Sequence, residues 1–129
     1  MAKHIVVLSS DPDLIGRLRA PLELYFYEVD IEAADTDVVD AVARHNPVVV
    51  ILGHGTARTA PEEWAYERRI MERLEANSGT GRPAVFSITS RHIPPDLMGA
   101  YLCDMYLREP FDPKALLAFI RRMTAPVPE

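Results

Sequence analysis

Val48 to Leu52, "VVVIL", is apolar at every position. A strand with one wet face alternates apolar and polar residues. An unbroken run of this length therefore reads as a strand covered on both faces, the situation of a central strand in a parallel sheet. The run ends abruptly in Gly53, His54 and Gly55. In open α/β sheets ligands bind in the crevice beyond the carboxyl ends of the strands, so this Gly-His-Gly stands where chemistry is expected.

The segments around it alternate strand and helix. His4 to Leu8 is a β-branched run, and Asp11-Pro12 follows as an N-cap carboxylate with proline at the first helical position. Leu14, Leu18 and Leu22 then recur at fours on one face, with a kink expected near Pro21. Tyr27 to Ala33 alternates in period two and predicts a strand near the sheet edge. Thr36 or Asp37 caps a second helix with Val38, Val39, Val42 and Ala43 as its stripe, ended by Asn46-Pro47. After the opening strand, Pro61-Glu62-Glu63 begins a long helix whose acidic first turn suits the helix dipole, with Ile70 and Leu74 inward, Trp64 as packing and "NSGTG" as its stop. Ala84 to Ile88 is a fourth strand. Pro94-Pro95 opens a short helix reaching about Tyr101, Met105 to Arg108 is a fifth strand, and Asp112-Pro113 starts a last helix with Leu116, Leu117, Phe119 and Ile120 inward. Five strands separated by five helices predict an α/β fold: a doubly wound, flavodoxin-like parallel sheet covered on both faces.

A length of 129 residues suits one domain, expected over residues 1–124 with 125–129 as a tail or the start of a linker. A net charge of −5 gives no general electrostatic case for nucleic acid or acidic membranes. The single cysteine, Cys103, excludes an intrachain disulfide and a multi-cysteine metal site, and reads as a small core residue. The apolar run near the amino terminus is too short for a signal peptide or a membrane span, so a cytoplasmic setting is expected.

Several segments together resemble the response-regulator receiver domains of two-component signalling. "KHIVVLSSDPDLIGRLRAPLELYFYEVDIEA" is similar to the family's opening, "AVARHNPVVVIL" to its second helix and third strand, "RPAVFSITSR" to its fourth strand, and "CDMYLREPFDPKALLAFIRRM" to its last strand, loop and helix. The resemblance covers nearly the whole chain and implies strand order 2-1-3-4-5. It also implies a phosphoacceptor aspartate at the end of strand three, acidic Mg²⁺ ligands after strand one, a Ser or Thr ending strand four, and a Lys before the proline of the last loop.

Laid on that pattern, the chain departs at most chemical positions. Ser9 and Ser10 stand where the acidic pair belongs, Gly53 stands at the phosphoacceptor and Glu109 at the lysine. Asp11 remains, with an N-cap role that accounts for it. Thr89 and Tyr106 match the switch pair. The chain therefore reads as a pseudo-receiver that keeps the fold without the phosphotransfer site, with no catalytic residue, cofactor or metal expected and the Glu109-Pro110 bond expected to be cis.

His54 reads first as a loop histidine between glycines; as a metal ligand it would need Asp11 and Glu109 as partners. Ser9 and Ser10 read as turn residues, since no histidine-acid pair is spaced to activate them. The glycine loops "GHGTA" and "NSGTGRP" lack the spacing of a phosphate cradle. In receivers the fourth helix, fifth strand and fifth helix contact partners or a second copy. Here that face is drawn from Pro94 to Met123 and includes Leu97, Met98, Tyr101, Tyr106, Arg108, Lys114, Arg121 and Arg122. The expected function is a phosphorylation-independent docking module for a signalling protein or a homodimer. The alternative is a small-molecule or metal sensor using the pocket of Ser9, Ser10, Asp11, Gly53, His54, Thr89 and Glu109. An enzyme on this scaffold ranks last.

Overall fold

Five strands pair in parallel in the order β2-β1-β3-β4-β5. The computed structural model describes residues 3–55, 58–77, 82–90 and 102–124. The strands are β1 (His4–Leu8), β2 (Glu28–Glu32), β3 (Val49–Gly53), β4 (Ala84–Thr89) and β5 (Met105–Arg108), and the helices are α1 (Pro12–Leu24), α2 (Val38–His45), α3 (Ala60–Asn77) and α4 (Pro113–Thr124). Four helices are thus found among the described residues. The helix expected from Pro94 to Tyr101 lies outside them.

The all-apolar run behaves as its composition dictates. Every residue of β3 is buried, and its register against β1 and β4 sets Val50 beside Val6 and Val85. Alternation along the central strands feeds two apolar layers. Ile5, Val7, Val49, Ile51, Phe86 and Ile88 pack under α1 and α4, while Val6, Leu8, Val50, Leu52 and Val85 pack under α2 and α3. The alternating segment predicted as an edge strand is the edge strand β2, none of whose residues is fully buried.

Helix ends follow local chemistry. Asp11 caps α1, accepting from the amides of Asp13 at 3.1 Å and Leu14 at 3.4 Å. Pro21 sits inside α1, which nevertheless continues to Leu24. Asp37, rather than Thr36, caps α2, and Asn46 ends it in the left-handed conformation at φ 48°. The buried positions of α2 are Val38 and Ala41, with Val39 and Val42 half-buried; Ala43, expected in the stripe, is exposed because 38, 41 and 42 already define the inward direction at 100° per residue. Thr59 and Glu62 form a reciprocal capping box at the start of α3. No described helix is long and apolar enough to cross a membrane.

Candidate functional site

At the carboxyl ends of β1 and β3, Ser9 and Leu14 stand close beside Gly53. A Cβ added at Gly53 would meet Leu14 Cδ2 at 2.9 Å and Ser9 Cβ and Oγ at 3.0 Å. Ser9 is buried and its hydroxyl accepts from the Asp11 amide at 3.2 Å, while the exposed Ser10 accepts from the Ala34 amide at 3.1 Å, so both act as the turn residues expected. Asp11 is committed to the α1 cap and presses against Gly55, which adopts φ +65°. Glu109 does not face a ligand with Asp11. Its Oε1 lies 2.7 Å from Arg17 Nη1 on α1, an ionic contact without directed hydrogen-bond geometry. The Glu109-Pro110 bond is cis.

His54 does lie in the loop directly after β3, between Gly53 and Gly55, but its side chain is buried. It lies 3% exposed under α3, with its backbone amide donating to the Ile88 carbonyl at 3.3 Å and its ring inside a buried polar cluster. The metal partners proposed from sequence, Asp11 and Glu109, are engaged elsewhere; the acidic neighbours of His54 are Glu63 and Glu67 of α3, 2% and 0% exposed. His54 Nε2 is 2.7 Å from Glu67 Oε2 and 3.0 Å from Ser87 Oγ. Ser87 donates to Glu67 Oε2 at 2.7 Å, and Thr89 donates to Glu63 Oε1 at 2.6 Å. Tyr106 donates from its hydroxyl to Glu67 Oε1 at 2.9 Å, while the Tyr106 hydroxyl oxygen itself accepts from the amides of Leu102 and Cys103.

The proton positions follow from Arg58, whose Nη1 lies 3.1 Å from His54 Nδ1. A guanidinium has only donors, so Nδ1 bears the lone pair and Nε2 the hydrogen, directed at Glu67. The Glu67 carboxylate thus accepts from an imidazole, a serine and a tyrosine, which is how a buried charge is kept in place. Burial, with Cys103 and Glu67 nearby, pushes the Tyr106 phenol far above its ordinary value and keeps it a donor. Arg58 also lies 3.9 Å over the ring of Tyr66, which meets His54 edge-on at 5.8 Å. Tyr66 in turn lines a surface cleft of about 350 Å³ between the β2–α2 connection and α3.

Of the residues picked from sequence, the structure brings His54, Thr89 and Tyr106 toward one cluster, and places Ser9, Asp11 and Gly53 together at a second position. Sequence reasoning missed Glu63, Glu67, Arg58 and Ser87. The signal was present for the glutamates: 63, 67, 70 and 74 share one helical face, and Ile70 and Leu74 were already assigned inward. Of the docking face, Arg108 and Arg121 are exposed, and Tyr106 is half-buried with its hydroxyl turned toward α3 rather than outward. Leu97 and Tyr101 lie outside the described residues.

No protein-family model matches the chain, and no curated protein matches it in sequence. Solved structures do. A Chloroflexus aurantiacus protein described as a putative response regulator superposes with a TM-score of 0.72 at 15% identity, over 98% of this chain and 100% of its own. The Vibrio cholerae chemotaxis protein CheY4 gives 0.71 at 14% identity, over 95% and 99%. A response-regulator receiver domain from Bermanella marisrubri gives 0.71 at 18%, over 95% and 98%. The fold is that of a CheY-like receiver domain. At the carboxyl ends of its strands this receiver fold carries a side-chain-free Gly53, an ion pair at Glu109 and a buried His54–Glu67 cluster.

Proposed function

We propose that this chain is a pseudo-receiver, a signalling module that acts by docking to a protein and does not depend on phosphorylation. The observation that carries the reading is the space at Gly53: the phosphoacceptor position of the receiver resemblance holds no carboxylate, and Ser9 and Leu14 occupy the volume a side chain there would need. Two further features support it. Glu109, at the lysine position, would repel a phosphoryl group and instead pairs with Arg17. Thr89 and Tyr106, at the switch positions, are both hydrogen-bonded to glutamates of α3, so protein groups hold the pair that a phosphoryl group would engage.

Docking is assigned to the β5–α4 side. Among the described residues there, Arg108, Lys114, Arg121 and Arg122 are exposed, a basic surface on an acidic chain, and the partner surface that complements it is acidic. The chain is read as a non-enzyme, because the hydroxyls of Ser87 and Thr89 are buried and donate to Glu67 and Glu63, and the His54 ring is held between Arg58 and Glu67. Ser9 and Leu14 narrow the space beside Gly53, which favours docking over the small-molecule sensor reading.

The test is incubation with acetyl phosphate or beryllofluoride, followed by intact-mass and amide-exchange measurements. No covalent adduct and no change in exchange are expected, while a stable adduct on an aspartate refutes the reading. Affinity capture with the wild-type chain and with Arg108→Glu/Arg121→Glu tests the docking side. A partner retained equally by both chains removes that face from the proposal.

A further inference from the structure

We propose that His54, Glu63 and Glu67 form a binding site for a divalent transition-metal cation of the Zn²⁺ class. One imidazole nitrogen and one oxygen from each carboxylate lie within 4.8 Å of one another, and all three residues are buried. Three points so spaced lie no more than about 2.8 Å from a common centre. Protein ligands sit ~2.0–2.2 Å from Zn²⁺, so closure needs a contraction of well under an ångström at each donor.

The donors are a mixed nitrogen and oxygen set held by two rigid elements. His54 follows β3 directly, and Glu63 and Glu67 stand one turn apart on α3. Imidazole favours zinc and its neighbours over Mg²⁺, which prefers an all-oxygen octahedron. Ser87 and Thr89 on β4 hydrogen-bond the two carboxylates, and Ser87 also meets His54 Nε2, as groups that orient metal ligands do. None of the three donors is at a position where the receiver resemblance implies Mg²⁺.

The cluster already holds one cation at its rim. Arg58 Nη1 donates to His54 Nδ1, which leaves the hydrogen on Nε2, the nitrogen that faces Glu67. Ligation through Nε2 requires the other tautomer. The proton moves from Nε2 to Nδ1, the imidazole stays neutral, and the guanidinium withdraws because two donors cannot face each other. Metal and Arg58 therefore compete for one ring. Arg58 is half-buried, so its side chain has solvent to withdraw into.

The experiment is titration of the full, chelator-stripped chain with Zn²⁺ by calorimetry, alongside thermal unfolding with Zn²⁺ or Mg²⁺. One equivalent of Zn²⁺ is expected to bind and raise Tm, with no effect of Mg²⁺. Glu63→Gln should weaken binding at least tenfold and His54→Gln should abolish it. Arg58→Ala, which leaves the buried donors in place, should tighten it, a readout that does not depend on the fold surviving loss of His54. His45→Gln, at the surface pair of His45 with Glu32, and Cys103→Ser should bind as the wild type does. The proposal is overturned if the wild-type chain gives neither heat nor Tm shift, if Arg58→Ala binds no more tightly, or if binding survives His54→Gln and disappears in His45→Gln.

Discussion

At position 53 the difference between a glycine and any other residue is set by three contacts, to Leu14 Cδ2 and to two atoms of Ser9. Gly53→Asp should destabilise the chain by ~1–3 kcal/mol, the usual cost of overpacking. It should leave the chain unmodified by acetyl phosphate; urea unfolding and intact mass check the two halves. Tyr106→Phe removes one donor to Glu67 and one acceptor for the amides of Leu102 and Cys103, with an expected loss of about 1–3 kcal/mol measured the same way. How much of this was legible differs residue by residue. The cap at Asp11 and the cis Glu109-Pro110 bond were readable because a helix start and a loop motif are local facts. The burial of His54 was not, because it depends on α3 folding back over the end of β3, which the pattern of neither segment states by itself.

The elements carry their own tests. Where α1 turns into β2, Leu24, Tyr25 and Phe26 are 75%, 53% and 87% exposed, and Phe26 sits in the left-handed region at φ 68°. Left-handed backbone costs a side-chain-bearing residue ~1–2 kcal/mol, least for Gly and Asn. Phe26→Gly should therefore stabilise by about 0.5–1 kcal/mol in thermal or urea unfolding. A loss of stability would show that the phenyl ring holds the turn.

Pairing of β1 with β2 should depend on pH. A hydrogen bond to Asp30, at 2.9 Å from Nδ1, and the charges of Asp30 and Glu28 raise the His4 pKa above 6.5, with burial opposing. The fold favours the protonated ring, so this stabilisation is complete below pH 6.5 and is lost as pH rises through the raised value. Glu32 has the opposite sign: hydrogen bonds from His45 and Arg44 lower its pKa below 4.5, and its contribution disappears as pH falls through that lowered value. Unfolding midpoints from pH 5 to 9 should fall at the alkaline side in the wild type and fall less in His4→Gln.

For the whole molecule, the sheet divides two apolar layers that share their strands. Phe86, fully buried in the α1–α4 layer, sits in β4 between β3 and β5. Phe86→Ala should cost ~3–5 kcal/mol. Against a total stability of ~5–15 kcal/mol this should lower the midpoint of one cooperative transition rather than split it, with circular dichroism and tryptophan fluorescence coinciding. Strand order and layering were legible because apolar runs, caps and proline stops repeat along the chain and agree with one another. The polar cluster was not, since its members come from β3, α3, β4 and β5 and meet only when the sheet closes.

The packing around Gly53 and Gly55 also constrains the order in which this sequence can change. A side chain at 53 requires Leu14 and Ser9 to shift, and one at 55 collides with Asp11, whose removal uncaps α1. Changes at 9, 11, 14, 53 and 55 are therefore not independent, and their effects depend on which comes first. A substitution at 53 is felt first at Leu14 and Ser9, so the glycine is kept in place by its neighbours as much as by its own lack of a side chain.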